Sequence, residues 1–378
     1  MSSLLYFILM LILIVALLAY LIYSGKYSVL MSINPKHFPR INNEDYRLSL
    51  GPKIVTIGGG TGLSTLLVGL KGYTRNITAV VAVTDEGGSS GRIRHEWGML
   101  PPGDIRNCIV ALAENDNSLN SLLNFRFDRG ELRGHSLGNL ILLAATEMVG
   151  DFQRAVQELN KLLAIRGQVL PVTTETVTLK GETFDGKIVS GELEISDNGS
   201  NLSKLWLEPT NAKPLESVIK AVDDADLIVL GPGSLFTSLL PNLLLKDLAF
   251  QLKNTSVPIV YIANLVTQPK ETEGMNILSH IDWITGVLGV VPDYVIANQA
   301  PISEEYLKRY SNIGADPLYL SDREEKYLQS LGVTVIYGDF IYIKDDKYLR
   351  HDTYNLTDSI MTLAEENRVK FGKVNETS

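Results

Sequence analysis

Residues 52–67 read PKIVTIGGGTGLSTLL. A short β-branched apolar run, Ile54 to Ile57, ends in three glycines, then a threonine, a fourth glycine and two hydroxyl side chains. A continuous apolar run, as opposed to an alternating one, suits a strand buried on both faces, which requires a sheet covered by helices on both sides. Runs of the same kind occur at Ile77–Val83, Leu227–Leu230, Ile259–Ile262 and Val295–Ala297. Between them, apolar residues at i, i+3 and i+4 predict helices at Leu63–Leu70, Ile105–Ala113, Leu137–Met148, Phe152–Leu163 and Pro214–Ala221. The pattern predicts an α/β fold with a doubly wound, mostly parallel sheet.

Two stretches depart from it. Thr174 to Ser196 alternates apolar and polar residues around Asp185-Gly186, the signature of an antiparallel hairpin. It predicts a small antiparallel excursion at about residues 170–210. Val333–Tyr337 and Phe340–Ile343 flank Gly338-Asp339 and predict a second hairpin.

The start of the chain follows other rules. From Leu4 to Tyr23 there is no charged side chain, about 20 residues, enough to cross a hydrocarbon layer of about 30 Å. Lys26, Lys36, Arg40 and Arg47 all follow this segment, so the positive-inside rule places the bulk of the protein in the cytoplasm. The expected organisation is a transmembrane anchor at residues 1–25, a linker at 26–50, an α/β body at 51–366 and a polar tail at 367–378. The single cysteine, Cys108, fits a reducing compartment and a buried apolar position. A net charge of -9 argues against a nucleic-acid partner, which needs a basic face.

Chemistry is concentrated where apolar runs end. A helix start beyond a strand's carboxyl end points unpaired N–H groups outward, and glycines let an anion reach them. Gly58, Gly59, Gly60, Thr61 and Gly62 form one such turn. It matches neither G-x-G-x-x-G nor the P-loop, since no lysine appears before Lys71. The run Leu227–Leu230 ends in Gly231, Pro232, Gly233 and Ser234, a second turn of the same character. Two such edges on one crevice could hold both ends of a diphosphate-linked ligand. Asp85 and Glu86 follow the second run, placed for a ribose hydroxyl or a metal, and Gly87, Gly88, Ser89 and Ser90 make an open loop after them. Arg92 and Arg94 are candidates for phosphate oxygens. Asn264, Thr267, Gln268 and Glu271 lie beyond Ile262. In RGHSLGN, Ser136 reads as a helix N-cap beside His135, and RHDT brings Arg350 and His351 near the end of the chain.

Taken together, IGGGTGLS, DEGGSSGR, LPPGDIRN, GHSLGN, LGPGS, NLVTQPKET and RHDT, in this order, resemble the CofD-like superfamily, and most closely its YvcK branch of gluconeogenesis-factor-like proteins. The resemblance runs from about Ile54 to Thr353. Glu86 is a departure, where the branch usually carries a second aspartate, and the apolar N-terminal segment is another. The resemblance implies a Rossmann-like fold and a non-enzymatic regulator that binds a UDP-sugar such as UDP-N-acetylglucosamine. It links carbon metabolism to cell-wall synthesis and cell shape, with a homo-oligomer and cell-wall protein partners open to it. It also adds Asn107, His135 and Asn139 to the ligand-binding set. Phosphates would lie near Gly58–Gly62 and Gly231–Ser234, with Asn264 and Thr267 on the sugar or base and Arg350 closing over them. Asp85 would take a ribose hydroxyl or Mg²⁺. The alternative is a Mg²⁺-dependent transferase of the 2-phospho-L-lactate transferase type. That enzyme carries a lysine just after its glycine loop, where this chain has Leu63-Ser64-Thr65. NAD ranks last among the ligands.

Overall fold

Seven parallel strands form the central sheet of the computed structural model, which describes residues 43–114, 117–345 and 348–370. They are β1 (Ile54–Gly58), β2 (Ile77–Val81), β3 (Gln168–Pro171), β7 (Leu227–Leu230), β8 (Ile259–Ile262), β9 (Tyr294–Asn298) and β10 (Thr334–Gly338), in the spatial order β10-β9-β8-β7-β1-β2-β3. The chain winds outward from β1 through β2 to β3, then returns to the other side of β1 and winds outward again. Every residue of β1, β2, β7 and β8 is buried, as the unbroken apolar runs require. The reversal of winding at β1/β7 puts the crossover helices of the two halves on opposite faces. On one, α1 (Gly60–Leu70) packs against α3 (Gly103–Leu112) and the last helix, Thr353–Lys370. On the other, Lys246–Asn254 packs against Glu216–Asp224 and Ile277–Leu288.

Helix α1 shows why the local sequence folds this way. Leu63, Leu66, Leu67 and Leu70 are its buried residues, one stripe at helical spacing. At about 1.5–3 kcal/mol each, their burial far outweighs the cost of the helical glycines.

The antiparallel excursion is present as a three-stranded sheet, β5-β4-β6, built from β4 (Thr178–Thr183), β5 (Ile188–Ser190) and β6 (Leu202–Glu208). Asp185-Gly186 turns β4 into β5, and Gly186 has φ +81°. The second expected hairpin is not formed. Val333–Tyr337 supplies β10, which pairs in parallel with β9, while β11 (Ile341–Lys344) pairs with β12 (Tyr348–His351). Pairing along the open edge of the large sheet, Thr334–Gly338 against Tyr294–Asn298, outcompetes the local turn even though Gly338-Asp339 suits one.

Among the described residues no helix is long and apolar enough to cross a membrane. The expected span, residues 4–23, lies outside them. The end of the expected linker is helical at Asn43–Ser49, with acids in its first turn and Arg47 in its last, complementing the helix dipole. Asn367 is buried inside the final helix, its Nδ2 donating to Leu363 O.

Candidate ligand cleft

The crevice at β1/β7 is where an open sheet of this winding binds ligands, since adjacent loops diverge there. Both glycine turns open into it. A cleft of about 310 Å³ is lined by Gly59, Gly60, Thr61, Gly62, Thr65, Pro232, Gly233, Ser234, Ser238, Asn264, Gln268, Arg350 and His351. The turns touch backbone to backbone: a Cβ at Gly62 would stand 2.6 Å from Pro232 O. Gly231 has φ +84°, a conformation that costs a non-glycine residue strain. Gly58 and Gly231 lie behind the lining, and Gly231 N donates to Ile57 O.

Arg350 is the cation of the cleft. It comes from β12, lies 5.4 Å from the Tyr348 ring centroid, donates to Leu349 O, and has no carboxylate partner among the described residues. His351 hydrogen-bonds through Nε2 to Ala263 O at 3.1 Å, and burial pulls its pKa down to about 4. It is therefore neutral near pH 7 and leaves Arg350 to supply the charge.

Two internal acids already hold some of the amides at the turns. Asp104, at the start of α3, accepts the Gly60 N–H. Burial and the neighbouring Asp85 push its pKa up to about 6, against the pull of that bond and of Arg106. Glu271, 2% exposed, accepts from Phe236 N at 3.1 Å and from Thr237 N and the Ser234 and Thr237 hydroxyls. Burial pushes it up to about 7 in spite of those donors. Gln268 Nε2 donates to Ser234 Oγ at 2.7 Å, so Ser234 is held from both sides. In the sequence Asp104 stands within LPPGDIRN and Glu271 among the polar residues beyond Ile262. Nothing in the spacing said that they would fill helix N-termini.

The other expected site residues gather beside the cleft. Asp85 Oδ1 accepts from Gly87 N at 2.8 Å, and Asp85 hydrogen-bonds Glu192. Glu192 comes from the helix of the excursion, Glu192–Asn198. Its Oε2 accepts from Glu86 N at 2.9 Å, while its own N–H donates to Glu86 Oε2 at 3.2 Å. Burial raises the Glu192 pKa, and the charges of Asp85 and Asp104 add to the rise. Sequence reading missed Glu192, because 106 positions separate it from Glu86. Arg94, a phosphate candidate from sequence, instead pairs with Glu86 at 3.6 Å and donates to Thr84 O and Val177 O. It joins the excursion to the end of β2. Arg92 likewise donates to Arg133 O.

Ser89 and Ser90 are buried in helix α2 (Gly88–Trp97), capped by Gly87. Ser89 Oγ lies 3.0 Å from His135 Nδ1 and accepts from Asn139 Nδ2 at 3.1 Å, and Arg106 Nε donates to Asn139 Oδ1 at 3.3 Å. Burial and Arg92 lower the His135 pKa. Ser136 caps helix α4 (Leu137–Val149) as expected, accepting from Asn139 N. Asn107 is half-buried on α3, one turn after Asp104. Thr267 is set apart: it is 2% exposed and exchanges backbone and Oγ1 bonds with Asp316, and it does not line the cleft. For a metal at Asp85 the fit is poor as arranged. Among the described residues no group of three or more His, Cys, Asp or Glu side chains could hold an ion, and Glu192 occupies one side of Asp85.

Known proteins share this architecture. The family model described as 2-phospho-L-lactate transferase CofD matches residues 54–341. The gluconeogenesis factor of Bacillus subtilis is 41% identical over 317 residues, 83% of this chain and 99% of that protein. The gluconeogenesis factor of Halalkalibacterium halodurans is 42% identical, over 82% of this chain and 95% of its own length. The crystal structure of a Bacillus halodurans protein superposes with a TM-score of 0.79 at 42% identity, covering 82% of this chain and 99% of that one. The chain therefore belongs to the CofD family and, within it, to the gluconeogenesis-factor (YvcK) branch.

Proposed function

We propose that the protein is a membrane-anchored cytoplasmic regulator that binds a nucleotide-sugar of the UDP-N-acetylglucosamine type and links carbon metabolism to cell-wall synthesis and cell shape. One observation carries the reading: two glycine turns abut at the winding reversal and share a cleft with an arginine that has no carboxylate partner among the described residues. That combination suits a diphosphate, with the remaining turn amides on one phosphate and Arg350 on the other. Asn264 and Gln268 lie in the same lining for the sugar or base. The cleft is small for the whole ligand and open, so part of the bound molecule extends outside it. Binding here would bias the protein between free and bound states in proportion to differential affinity. Asp85, behind the turn, would serve the ribose or the shape of the loop. We derive no step through Mg²⁺, given the poor fit at Asp85.

The test is a thermal shift on the full-length protein with UDP-N-acetylglucosamine. A rise in Tm that grows with concentration and shrinks in Arg350→Ala supports the reading; no shift at millimolar ligand overturns it. Mg²⁺-dependent turnover of a nucleotide diphosphate, lost in Asp85→Asn, would replace the regulator with the transferase alternative.

A further inference from the structure

The opposite end of the sheet holds a second and larger cavity, about 710 Å³, at the starts of β1, β2 and β3. Its lining includes Lys53, Arg75 and Lys220 against one carboxylate, Asp224, in a chain of net charge -9. Cations are thus gathered here against the overall charge. The Nζ groups of Lys53 and Lys220 have no hydrogen bond or ion pair among the described residues.

One wall is the helix Glu216–Asp224. A helix laid on a sheet normally turns an apolar stripe toward it. This one turns its apolar residues Val218 and Val222 into the core, while Ser217, Lys220, Ala221 and Asp224, at helical spacing, line the cavity. Ser217 Oγ is buried without a partner, a donor left unsatisfied at a cost that native proteins rarely accept. The floor is also partly polar: Gln168 Nε2 donates to Thr78 Oγ1 at 2.9 Å. Such a space is shaped for a polar guest and not for side-chain packing.

We infer that this cavity binds a small phosphorylated sugar, with the phosphate held by Lys53 and Lys220 and the hydroxyls by Asp224 and Gln168. The cations call for an anion, and the carboxylate and amide call for hydroxyl donors on the same molecule. A nucleotide fits less well, because the lining has no aromatic side chain to stack a base. The site is separate from the cleft, since the two lie at opposite ends of parallel strands.

Calorimetric titration of the full-length protein with glucose 6-phosphate, with glucose as the control, tests the assignment. Saturable binding of the phosphate and none of the sugar is expected. Lys53→Ala and Lys220→Ala should each weaken it about tenfold, as the loss of a charge-assisted contact does, with unfolding midpoints unchanged. Arg350→Ala, in the cleft, should leave it intact. Absence of saturable binding overturns the assignment, as does binding indifferent to both lysine substitutions or abolished by Arg350→Ala. A failure here leaves the nucleotide-sugar reading of the cleft untouched, because no cleft residue takes part.

Discussion

Gly62→Ala tests whether the two turns meet as described. In an ordinary helix the change would stabilise by up to about 1 kcal/mol. Here the new Cβ would stand 2.6 Å from Pro232 O, 2.9 Å from Pro232 C and 3.2 Å from Gly233 N. All three are backbone atoms, so no rotamer change relieves the overlap and the turns must separate. Overpacking of this kind costs about 1–3 kcal/mol, which leaves a net loss of about 2 kcal/mol at the upper end. Unfolding entropy of about 2.1 cal/mol/K per residue over roughly 330 residues gives about 0.7 kcal/mol/K, so Tm should fall about 3 °C. The matched control is Gly286→Ala in the helix Ile277–Leu288, where a Cβ meets nothing within 4 Å. That variant should gain about 0.5–1 kcal/mol and about 1 °C. Urea midpoints and thermal scans of both variants, with and without UDP-N-acetylglucosamine, give the answer. If Gly62→Ala is as stable as wild type and keeps its ligand response, the turns do not abut and the proposed cleft is lost with them.

Other outcomes follow from the same geometry. Burial raises Glu271 from 4.5 to about 7 in the folded state, so the stability this group contributes is complete below pH 4.5 and is lost as pH rises through about 7, by about 3 kcal/mol. Glu271→Gln should flatten that part of the profile in urea titrations at pH 5 and 8; an unchanged slope would show that the acid is ionised throughout. Arg350→Ala should weaken UDP-N-acetylglucosamine about 10- to 100-fold in a calorimetric titration, with the unfolding midpoint nearly unmoved. Tyr261→Phe should cost about 1–3 kcal/mol, because its hydroxyl lies 2.8 Å from His280 Nδ1 and His280 Nε2 is already without a partner. The double change Tyr261→Phe/His280→Leu should recover much of that loss in the same denaturation assay, since it removes both unsatisfied nitrogens.

Much of this architecture can be read from letters alone. The runs at Ile54, Ile77, Leu227, Ile259 and Val295 all became parallel strands, because complete burial leaves an unmistakable unbroken pattern. The strand β3 was not legible: it is four residues long, starts with an exposed glutamine and ends in proline. The pairing of β10 with β9 was equally hidden, since a sheet edge 36 residues away decided it. At the site, the convergence of the two glycine turns followed from their positions after strands. The roles of Glu192, Asp104 and Glu271 did not, because each acts on a backbone amide that only the tertiary fold brings near. Arg94 and Thr267 have ligand-like chemistry but spend it on structural partners. Composition cannot tell those uses apart.

The neighbours of β1 also set a timetable for synthesis. Ile54 pairs with Ile77 on one side and with Leu227 on the other, and the second partner is made 173 positions later. At about 5–20 residues per second, a ribosome needs about 10–35 s to supply it. Through that interval a bare, uncharged, proline-free ribbon is available to any other chain nearby. Truncated chains that stop before Leu227 should therefore depend on chaperones and collect in aggregates, each carrying half a cleft with nothing to close it.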